Sequence, residues 1–599
     1  MVCVTLVFLV SAGLRLDQLG LYSTTDEAYW MQRSVRFGAA LARGDFASTL
    51  RAGHPGVTVT WLGVLGIGPE RLARYLPERY TQLEVLEVAP GYLETFDGAR
   101  RAVALAAAAL VALAVALAWP LLGRGPALIG GAILTLDPYA IGMTRILHAD
   151  ALLAPLMTVS LLAGLLYWTR VGPSGRGRTG QASWPYLALS SAAGGLALLT
   201  KAPSGYLPLF FGLVCAGGLV GRWRGRRRSG SQADDLSPGI GRWRERTGAL
   251  LPLLVWGLGA AATFVLLFPA MWVDPVGTVT LLIQFVAVIG LQPHNGNFFL
   301  GQPILADPGP WYYAVALPLR FSPLVALGLA LLTLPAPRAE PRFVSRWLLT
   351  YVVLFVLLMT LASKKFDRYM LPALMVLDLV AGVGLWRLAA LLAKKAPPPS
   401  PLPIAMERGR RSSLLPLSTA VGRGLGGGAS PVTLFTLVAV TQAALLTSVW
   451  PYPIAYYNPL AGGPTRAEQL LMVGWGEGLE QVADFLNRLP DAAHLYVVTS
   501  YNHVVRPRFV GTTSAITPYV GSPPQGRPLP TPDYVVLYVN AVQRRQIPPA
   551  ARQAQADGPP AFVATVNGVP YAWVYQIPRS GPRPTGPLPP LNDSESEEN

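Results

Sequence analysis

The sequence predicts a polytopic α-helical membrane protein with about eleven transmembrane helices and a small extracytoplasmic α/β domain at its C-terminal end. Of the 599 residues, 52% are hydrophobic and only 13% are charged, about half of the ~25% that is usual in soluble domains. The mean hydropathy is +0.39. Apolar stretches close to the ~20 residues that a bilayer requires recur up to about residue 450. This composition excludes a disordered chain, a coiled coil and most soluble enzymes.

Eleven apolar segments are predicted to cross the membrane. They are residues 1–20, 99–122, 125–143, 151–168, 185–200, 203–221, 249–271, 311–335, 347–363, 369–393 and 431–449. Basic residues fall in alternate loops, such as the run from Arg222 to Arg228, whereas residues 272–310 contain no Lys or Arg. Because loops rich in Lys and Arg remain in the cytoplasm, the other loops share the outer, extracytoplasmic side. These outer regions are residues 21–98, 144–150, 272–310 and 364–368, and the chain after about residue 450.

Changes in composition predict the domain boundaries. Residues 1–450 form the predicted transmembrane catalytic domain, with a first outer loop at 21–98 and a flexible cytoplasmic linker, rich in Pro, Gly and Arg, at 396–430. Residues 451–580 form the predicted outer α/β domain, and the acidic tail at 581–599 is predicted to be disordered. The elements expected in the outer domain are a helix at 479–489, strands at 494–501 and 534–540, and a hairpin at 561–577 around Asn567-Gly568.

The net charge of +16 comes from 48 basic and 32 acidic residues. Its strongest basic run lies between two apolar segments, which is typical of a cytoplasmic loop and not of a nucleic-acid-binding surface. Both cysteines, Cys3 and Cys215, lie in apolar runs, so neither a disulfide framework nor a cysteine metal site is expected. The five histidines are scattered, without a pair at metal-binding helical spacing. No nucleic-acid partner is predicted.

Acidic residues at the predicted outer face are candidates for function, because ionisable groups at membrane edges are costly. Asp26 and Glu27 follow the first span, and Asp150 follows Arg145 in the second outer loop. Asp26 and Glu27 could instead serve only to cap the helix that follows. One of two adjacent acids is enough for capping, which leaves the other for function. The alternatives for Asp150 are an ion pair with Arg145 and a helix cap.

Cations also occur on this face, where the charge rule does not expect them. Lys201 interrupts a long apolar stretch, and Lys364 and Arg368 occur close together. Their structural alternative is snorkelling at helix ends. His54 precedes Pro55-Gly56. If it has no functional role, this segment is a turn that leads into an interfacial helix.

Acids and cations at one membrane face suit transfer of a sugar from a polyprenyl phosphate. The lipid tail requires a groove open to the bilayer, and the phosphate requires Arg or Lys both for binding and for stabilising charge as its bond to the sugar breaks. The acceptor hydroxyl requires a carboxylate that takes its proton.

Several short motifs resemble the GT-C superfamily of membrane glycosyltransferases, in the branch of the protein O-mannosyltransferases and the aminoarabinose transferase. The resemblance covers about residues 5–490. The motifs are Asp26-Glu27, His54-Pro55, Arg145 with Asp150, Leu199-Thr200-Lys201-Ala202-Pro203, Phe298-Phe299-Leu300-Gly301, Lys364-Lys365, Arg368-Tyr369-Met370-Leu371-Pro372, Tyr456-Tyr457-Asn458-Pro459-Leu460-Ala461-Gly462-Gly463 and Gly474-Trp475-Gly476-Glu477-Gly478. A second Pro after the histidine, often expected in this branch, is Gly56 here.

The resemblance implies roles for individual residues. Asp26 is the expected catalytic base, Glu27 its supporting residue and Asp150 a second acid. The candidates for binding the donor phosphate are Arg145, Lys201, Lys364 and Arg368, and those for binding acceptor or phosphate are His54 and His294. Some members of the superfamily use a divalent metal, so a metal cofactor is left unassigned.

The sequence thus predicts a cell-envelope glycosyltransferase that uses a polyprenyl-phosphate sugar. Its acceptor is a protein, lipid or polysaccharide hydroxyl, and its active site and C-terminal domain are extracytoplasmic. The alternatives are a transporter or flippase for a lipid-linked glycan and a non-enzymatic envelope assembly protein. A transporter is expected to show internal symmetry and ionisable groups deep within helices.

Overall fold

The computed structural model describes residues 2–51, 53–171, 183–229, 238–294, 296–337, 340, 342–395, 431–520 and 529–578. A helical part precedes a small mixed sheet. The predicted linker 396–430 and the predicted tail 581–599 lie outside the described residues.

Nineteen α-helices form the first part of the described chain. They are α1 Val2–Leu16, α2 Thr25–Ala42, α3 Val57–Ile67, α4 Pro69–Arg74, α5 Leu83–Glu87, α6 Tyr92–Leu122, α7 Arg124–Leu136, α8 Pro138–Met143, α9 Ala149–Val171, α10 Trp184–Thr200, α11 Tyr206–Ser229, α12 Pro238–Leu267, α13 Ala270–Val273, α14 Pro275–Leu291, α15 Tyr312–Arg320, α16 Pro323–Leu331, α17 Arg342–Leu361, α18 Leu371–Lys395 and α19 Pro431–Ser448. Strands β1 (Asn297–Phe299) and β2 (Gln302–Ile304) form an antiparallel hairpin between α14 and α15.

Five helical segments of the described chain are long and apolar enough to cross a membrane, and their length and composition indicate a multi-pass membrane protein. They lie in α6, α9, α12, α17 and the stretch Asp367–Leu392, which contains most of α18. A sixth span results if α15 and α16, which meet at 107°, are counted together. A helix occurs in each of the eleven predicted segments, but several of these helices have only 10–17 residues.

The prediction of eleven spans therefore exceeds the five or six that pass this test. In two of the predicted spans, a polar residue followed by proline breaks the apolar run. Asp137-Pro138 ends α7 and starts α8 within one predicted span, and the Asp137 carboxylate accepts a hydrogen bond from Ala140 N. Ser322-Pro323 starts α16 in the same way, with Ser322 Oγ accepting from Val325 N. Each break shortens a helix by supplying a new N-cap.

Helix α9 lies at the centre of the helical part and α12 lies at its edge. The apolar window of α9 is 100% buried, whereas that of α12 is 17% buried. Helix α9 contacts α6, α10 and α18. In a membrane, the exposed apolar surface of α12 faces lipid.

Glycines on α18 permit close packing by two neighbouring helices. A Cβ on Gly382 would lie 2.3 Å from the backbone nitrogen of Gly130 on α7. A Cβ on Gly384 would lie 1.7 Å from the carbonyl oxygen of Gly328 on α16. Small residues allow the helix backbones to approach closely enough for favourable van der Waals packing in lipid.

The C-terminal part contains a five-stranded sheet, in agreement with the predicted α/β composition. Its strands are β3 Tyr496–Thr499, β4 Thr512–Ala515, β5 Tyr534–Tyr538, β6 Phe562–Val566 and β7 Val569–Gln576, in the order β4-β3-β5-β7-β6. Strand β3 is parallel to β4 and β5, whereas β7 is antiparallel to β5 and β6. The helices are α20 Gly463–Leu470, α21 Leu479–Asn487, α22 Asn502–Val505, α23 Thr517–Val520, α24 Val539–Gln543 and α25 Pro549–Asp557.

Local sequence accounts for the elements of this sheet. The predicted hairpin is confirmed: Asn567 and Gly568 have φ values of 48° and 81°, and Val566 pairs with Val569. Positive φ at both central residues is the geometry of the type I′ turn that Asn-Gly favours. The continuous apolar runs of β3 and β5 are buried along their whole length, as expected for central parallel strands.

Candidate active site

Five ionisable side chains from distant parts of the sequence form one cluster, which we call the charged cluster: Asp26, His148, Asp150, Lys201 and Arg368. Lys201 Nζ lies 2.7 Å from Asp150 Oδ1, and Arg368 Nε lies 3.6 Å from Asp150 Oδ2. His148 lies between the two acids, with Nε2 3.6 Å from Asp26 Oδ2 and Nδ1 3.5 Å from Asp150 Oδ2. Four of the predicted catalytic and donor-binding residues, Asp26, Asp150, Lys201 and Arg368, therefore converge.

The ends of helices bring these side chains together. Asp26 is in the first turn of α2, and His148 and Asp150 lie where α9 begins. Lys201 directly follows the last residue of α10, and Arg368 belongs to a 3₁₀ turn, Asp367–Met370, that precedes α18. Because apolar runs end at these positions, each charged residue reaches the same end of the helical part.

The hydrogen bond to His148 determines where its ring carries a proton. The backbone N–H of Asp150 donates to His148 Nδ1 over 3.1 Å. Nδ1 is therefore an acceptor, and the ring proton is on Nε2, which faces Asp26. His148 thus presents a donor to the Asp26 carboxylate.

Asp26 and Glu27 are adjacent, but only one of them is accessible. The side chain of Asp26 is 23% exposed, whereas that of Glu27 is 0% exposed. Glu27 Oε1 lies 2.8 Å from Arg100 Nε and accepts a hydrogen bond of 2.7 Å from Leu147 N, and Glu27 Oε2 accepts from Thr24 N over 2.8 Å. Glu27 therefore joins the start of α2 to the segment before Asp150, while Asp26 remains accessible.

The chain just before Asp26 is held by three arginines from different regions. Arg100 donates to the carbonyl oxygens of Leu19 and Tyr22, and Arg145 donates to that of Asp17. Arg508, from the C-terminal part, donates to that of Gly20 over 2.6 Å. These contacts fix the connection between α1 and α2, which carries Asp26 at its end.

The predicted phosphate ligand Arg145 lies outside the charged cluster. Its guanidinium contacts the Asp17 carbonyl and lies 5.4 Å from the centre of the Trp450 ring. Arg145 does not form the alternative ion pair with Asp150. Asp150 pairs with Lys201 and Arg368. Proximity in sequence favoured Arg145, but helix packing brings Lys201 to Asp150 from 51 residues away.

Two further predicted residues, His54 and His294, lie near the cations of the site. His54 packs edge-on against Phe285 at 5.1 Å, and its buried Nδ1 makes no hydrogen bond in the described part of the chain. Burial, followed by the charges of Lys201 and Arg33, lowers the pKa of His54 well below its usual value. A neutral His54 can bind a polar group without adding charge.

His294 packs edge-on against Phe366, with ring centres 4.9 Å apart, and its Nδ1 lies 3.0 Å from the Gly296 carbonyl oxygen. Burial, followed by the charge of Lys364, lowers the pKa of His294 to about 4. The positive charge of Lys364 also lowers the pKa of His54. Lys364 therefore acts electrostatically on both histidines.

Electrostatics keep Asp26 ionised. Burial alone would raise the pKa of Asp26, but the His148 ring, the charge of Arg368 and the Trp475 indole together hold it well below its usual value of ~4. At neutral pH this carboxylate is charged and available to accept a proton.

Two residues of the site, His148 and Trp475, are not among the site residues predicted from sequence. Trp475 lies 5.0 Å from the His148 ring, and the Arg368 guanidinium lies 4.3 Å from the centre of its ring. The signals were present, since His148 lies between two predicted site residues and Trp475 lies in a glycine-rich motif of the predicted resemblance.

The C-terminal part also contacts α2 one turn beyond Asp26. Tyr29 Oη lies 3.0 Å from His503 Nε2, and His503 Nδ1 lies 2.9 Å from Glu87 Oε1. Arg506 Nη1 lies 3.0 Å from Glu87 Oε2. Because the carboxylate accepts at Nδ1, the ring proton is there, and Nε2 accepts from the Tyr29 hydroxyl.

In the described part of the chain, no group of three or more His, Cys, Asp or Glu residues is arranged to hold a metal ion. Of the two acids of the charged cluster, Asp150 pairs with Lys201 and Arg368, and Asp26 faces His148. No metal-dependent step is derived from this site.

Comparison with known proteins gives matches among solved structures. No family model and no curated protein matches the chain. ArnT from Cupriavidus metallidurans bound to undecaprenyl phosphate matches with a TM-score of 0.40 and 16% identity, over 96% of this chain and 97% of that one. The oligosaccharyltransferase AglB from Archaeoglobus fulgidus matches with a TM-score of 0.39 and 13% identity, over 92% of this chain and 72% of that one.

The Saccharomyces cerevisiae protein O-mannosyltransferase Pmt1–Pmt2 complex matches with a TM-score of 0.32 and 13% identity, over 51% of this chain and 41% of that one. All three matches have TM-scores below 0.5 and identities of 16% or less.

Proposed function

We propose that this chain is a membrane glycosyltransferase that moves a hexosyl or pentosyl group from a polyprenyl-phosphate donor to an acceptor hydroxyl. The reaction takes place at the outer face of the membrane. The observation that carries the proposal is the charged cluster, in which an accessible carboxylate, Asp26, lies beside cations suited to a phosphate. The protein crosses the membrane with eleven helical segments, six of them short, and its C-terminal domain, residues 451–580, is extracytoplasmic.

Asp26 is the general base. As the acceptor oxygen bonds to the anomeric carbon of the sugar, Asp26 takes the hydroxyl proton, and the bond between that carbon and the phosphate oxygen breaks. The electron pair of this bond leaves with the polyprenyl phosphate. One base acting on one displacement inverts the configuration of the sugar carbon.

The donor phosphate binds at the cationic side of the cluster. Arg368 Nε is buried and makes no hydrogen bond within the described residues, although it lies near Asp150. It is therefore available to a phosphate oxygen. Lys201, Lys364 and the neutral His54 complete this side. The charges of the two lysines offset the negative charge that develops on the leaving group.

Asp150 and Glu27 support the site without receiving a proton from the acceptor. Asp150 is 3% exposed and pairs with Lys201 and Arg368, so it holds these cations in place. Glu27 is buried and orients the start of α2. Arg145 supports the connection before α2 and takes no part in binding the donor.

The convergence of Asp26, Asp150 and Lys201 favours an enzyme over a transporter, because a transporter does not require a base and an anion site at one point. Purified protein in lipid vesicles is incubated with a panel of polyprenyl-phosphate sugars, and release of polyprenyl phosphate is measured. We expect release with one or more donors, and its loss in Asp26→Asn. No release from any donor by the wild type, or equal release by the variant, would contradict the proposal.

A further inference from the structure

The glycine-rich segment Gly474-Trp475-Gly476-Glu477-Gly478, which we call the GWGEG loop, connects α20 to α21 and lies against the start of α2. Gly474, Gly476 and Gly478 have φ values of 85°, 129° and 90°, a region that side chains disfavour. A Cβ on Gly476 would lie 2.6 Å from the Ser23 carbonyl oxygen. The loop therefore approaches the helix that carries Asp26 as closely as glycine permits.

Hydrogen bonds fix the backbone of the loop at both sides. Trp475 N donates to Glu477 Oε2 over 2.8 Å, and Gly476 N donates to Tyr538 Oη over 3.0 Å. The Thr25 backbone N–H, in the first turn of α2, donates to the Trp475 carbonyl oxygen over 3.0 Å. These bonds set the direction in which the Trp475 side chain leaves the loop.

The indole of Trp475 contacts three members of the charged cluster. The Arg368 guanidinium lies over its face, 4.3 Å from the ring centre, and the His148 ring meets it edge-on at 5.0 Å. The indole N–H also favours the charged form of Asp26. An aromatic face holds a guanidinium by cation–π attraction and restricts its rotation.

We propose that Trp475 is a positioning residue for glycosyl transfer: its ring holds Arg368 where the donor phosphate binds and packs against His148, which faces Asp26, while its N–H favours the charged Asp26 carboxylate. This inference rests on the proposed function. The C-terminal domain thereby supplies Trp475 to an active site whose charged residues belong to the helical part. The GWGEG loop has no role among those that the sequence resemblance implies.

Two substitutions separate the two contacts. Trp475→Phe keeps an aromatic face for Arg368 but removes the N–H, so we expect kcat to fall about 10- to 100-fold, as for loss of one charge-assisted hydrogen bond, with little change in KM for the donor. Trp475→Leu removes both contacts, so KM for the donor rises as well. Trp573→Leu is the matched control, because Trp573 is a half-buried indole in β7 of the same domain, and its kinetic constants should equal those of the wild type.

The pH profile supplies a readout that simple loss of stability does not change. The groups that face Asp26 are His148 before α9, Arg368 before α18, Trp475, and Tyr501 before α22. Because Trp475→Leu weakens two of these contacts, fewer groups oppose the effect of burial and the pKa of Asp26 rises. Activity of this variant should then fall as the pH is lowered from about 8 to about 5, more steeply than activity of the wild type.

The outcomes distinguish this inference from the proposed function. If folded Trp475→Leu has wild-type kinetic constants and pH profile, or if all three variants lose activity equally, the positioning role is wrong. If the wild type itself turns over no polyprenyl-phosphate sugar, the proposed function fails. The position of Arg368 in a cryo-EM structure of Trp475→Leu then decides the positioning role, since an unmoved guanidinium would overturn it.

Discussion

At the scale of single residues, burial assigns different roles to neighbours in the chain. Asp26 and Glu27 share the first turn of α2, yet Glu27 is enclosed by Arg100 and two backbone N–H groups, while Asp26 faces the charged cluster. A buried carboxylate with three donors is an anchor, whereas a partly exposed one with a low pKa is available to a substrate.

Asp26→Asn should abolish most of the transfer without destabilising the protein. We expect activity to fall by about 10²–10⁴, the usual contribution of a positioned base. Thermal unfolding in detergent should be unchanged, because Glu27, not Asp26, accepts the hydrogen bond from the residue preceding α2. An active Asp26→Asn protein would move the base to Glu27 or Asp150.

Glu27→Gln should do the reverse and lower stability more than activity. Removing the charge deprives the buried Arg100 guanidinium of its nearer ionic partner, since Asp97 lies 3.9 Å away, and breaking a buried ion pair costs about 3–5 kcal/mol. The free energy of unfolding of Glu27→Gln is measured beside that of Asp26→Asn. A Glu27→Gln protein as stable as the wild type would contradict the anchoring role.

Lys201 requires a double substitution, because Asp150 is its buried partner. Lys201→Met alone should lose about 3–5 kcal/mol of stability through the charge it leaves behind on Asp150. Adding Asp150→Asn should restore much of that stability but not the use of the lipid donor, since the cation for the phosphate is still absent. Recovery of donor turnover in the double variant would show that Lys201 serves only to neutralise Asp150.

At the scale of elements, α5 and α22 join the two parts of the chain. Glu87, at the end of α5, contacts His503 on α22 and the following Arg506, and His503 contacts Tyr29 on α2. Glu87 is 0% exposed, whereas Glu84, which lies 3.8 Å from the same Arg506, is 40% exposed. Two acids of one short helix therefore differ in how strongly they hold the C-terminal part.

Glu87→Gln should loosen the C-terminal part, and Glu84→Gln serves as the control. Glu87→Gln removes the buried negative charge that pairs with Arg506 and one of the two oxygens that lie close to His503 Nδ1, at a cost of about 3–5 kcal/mol. The exposed Glu84 pair contributes only ~0–1 kcal/mol. The rate of limited proteolysis after about residue 450 is the measurement. Equal rates for the two variants would mean that Glu87 does not hold the interface.

At the scale of the whole molecule, the charged cluster requires that all its elements meet at one membrane face. The outer loops predicted from the basic residues are the regions that supply Asp26, His148, Asp150, Lys201 and Arg368. The positions of the basic loops and this convergence are independent observations, and from both we expect the C-terminal domain to be extracytoplasmic.

A topology reporter fused after Asn458 should be active only if it functions outside the cytoplasm. Alkaline phosphatase requires that environment, so we expect its activity at this position and none from the same reporter fused within the predicted linker 396–430. The reverse pattern would refute both the orientation and the shared outer face.

Sequence patterns were sufficient to predict those elements whose structure depends on neighbouring residues along the chain. Composition predicts the membrane helices, and Asn567-Gly568 predicts the hairpin, because hydrophobicity and turn conformation are local properties. Apolar content does not show where Asp137 and Ser322 start new helices within two of the eleven predicted spans.

The sequence by itself determined the class of protein, the order of its elements and the face that bears unusual charges, since each of these follows from local hydrophobicity and charge. Only the tertiary structure decided which charges meet. Lys201, not the nearby Arg145, pairs with Asp150, and Trp475 crosses from the C-terminal part to Arg368. The physical reason is that buried charges take partners from whichever helices pack beside them, and helix packing depends on contacts between residues far apart in sequence.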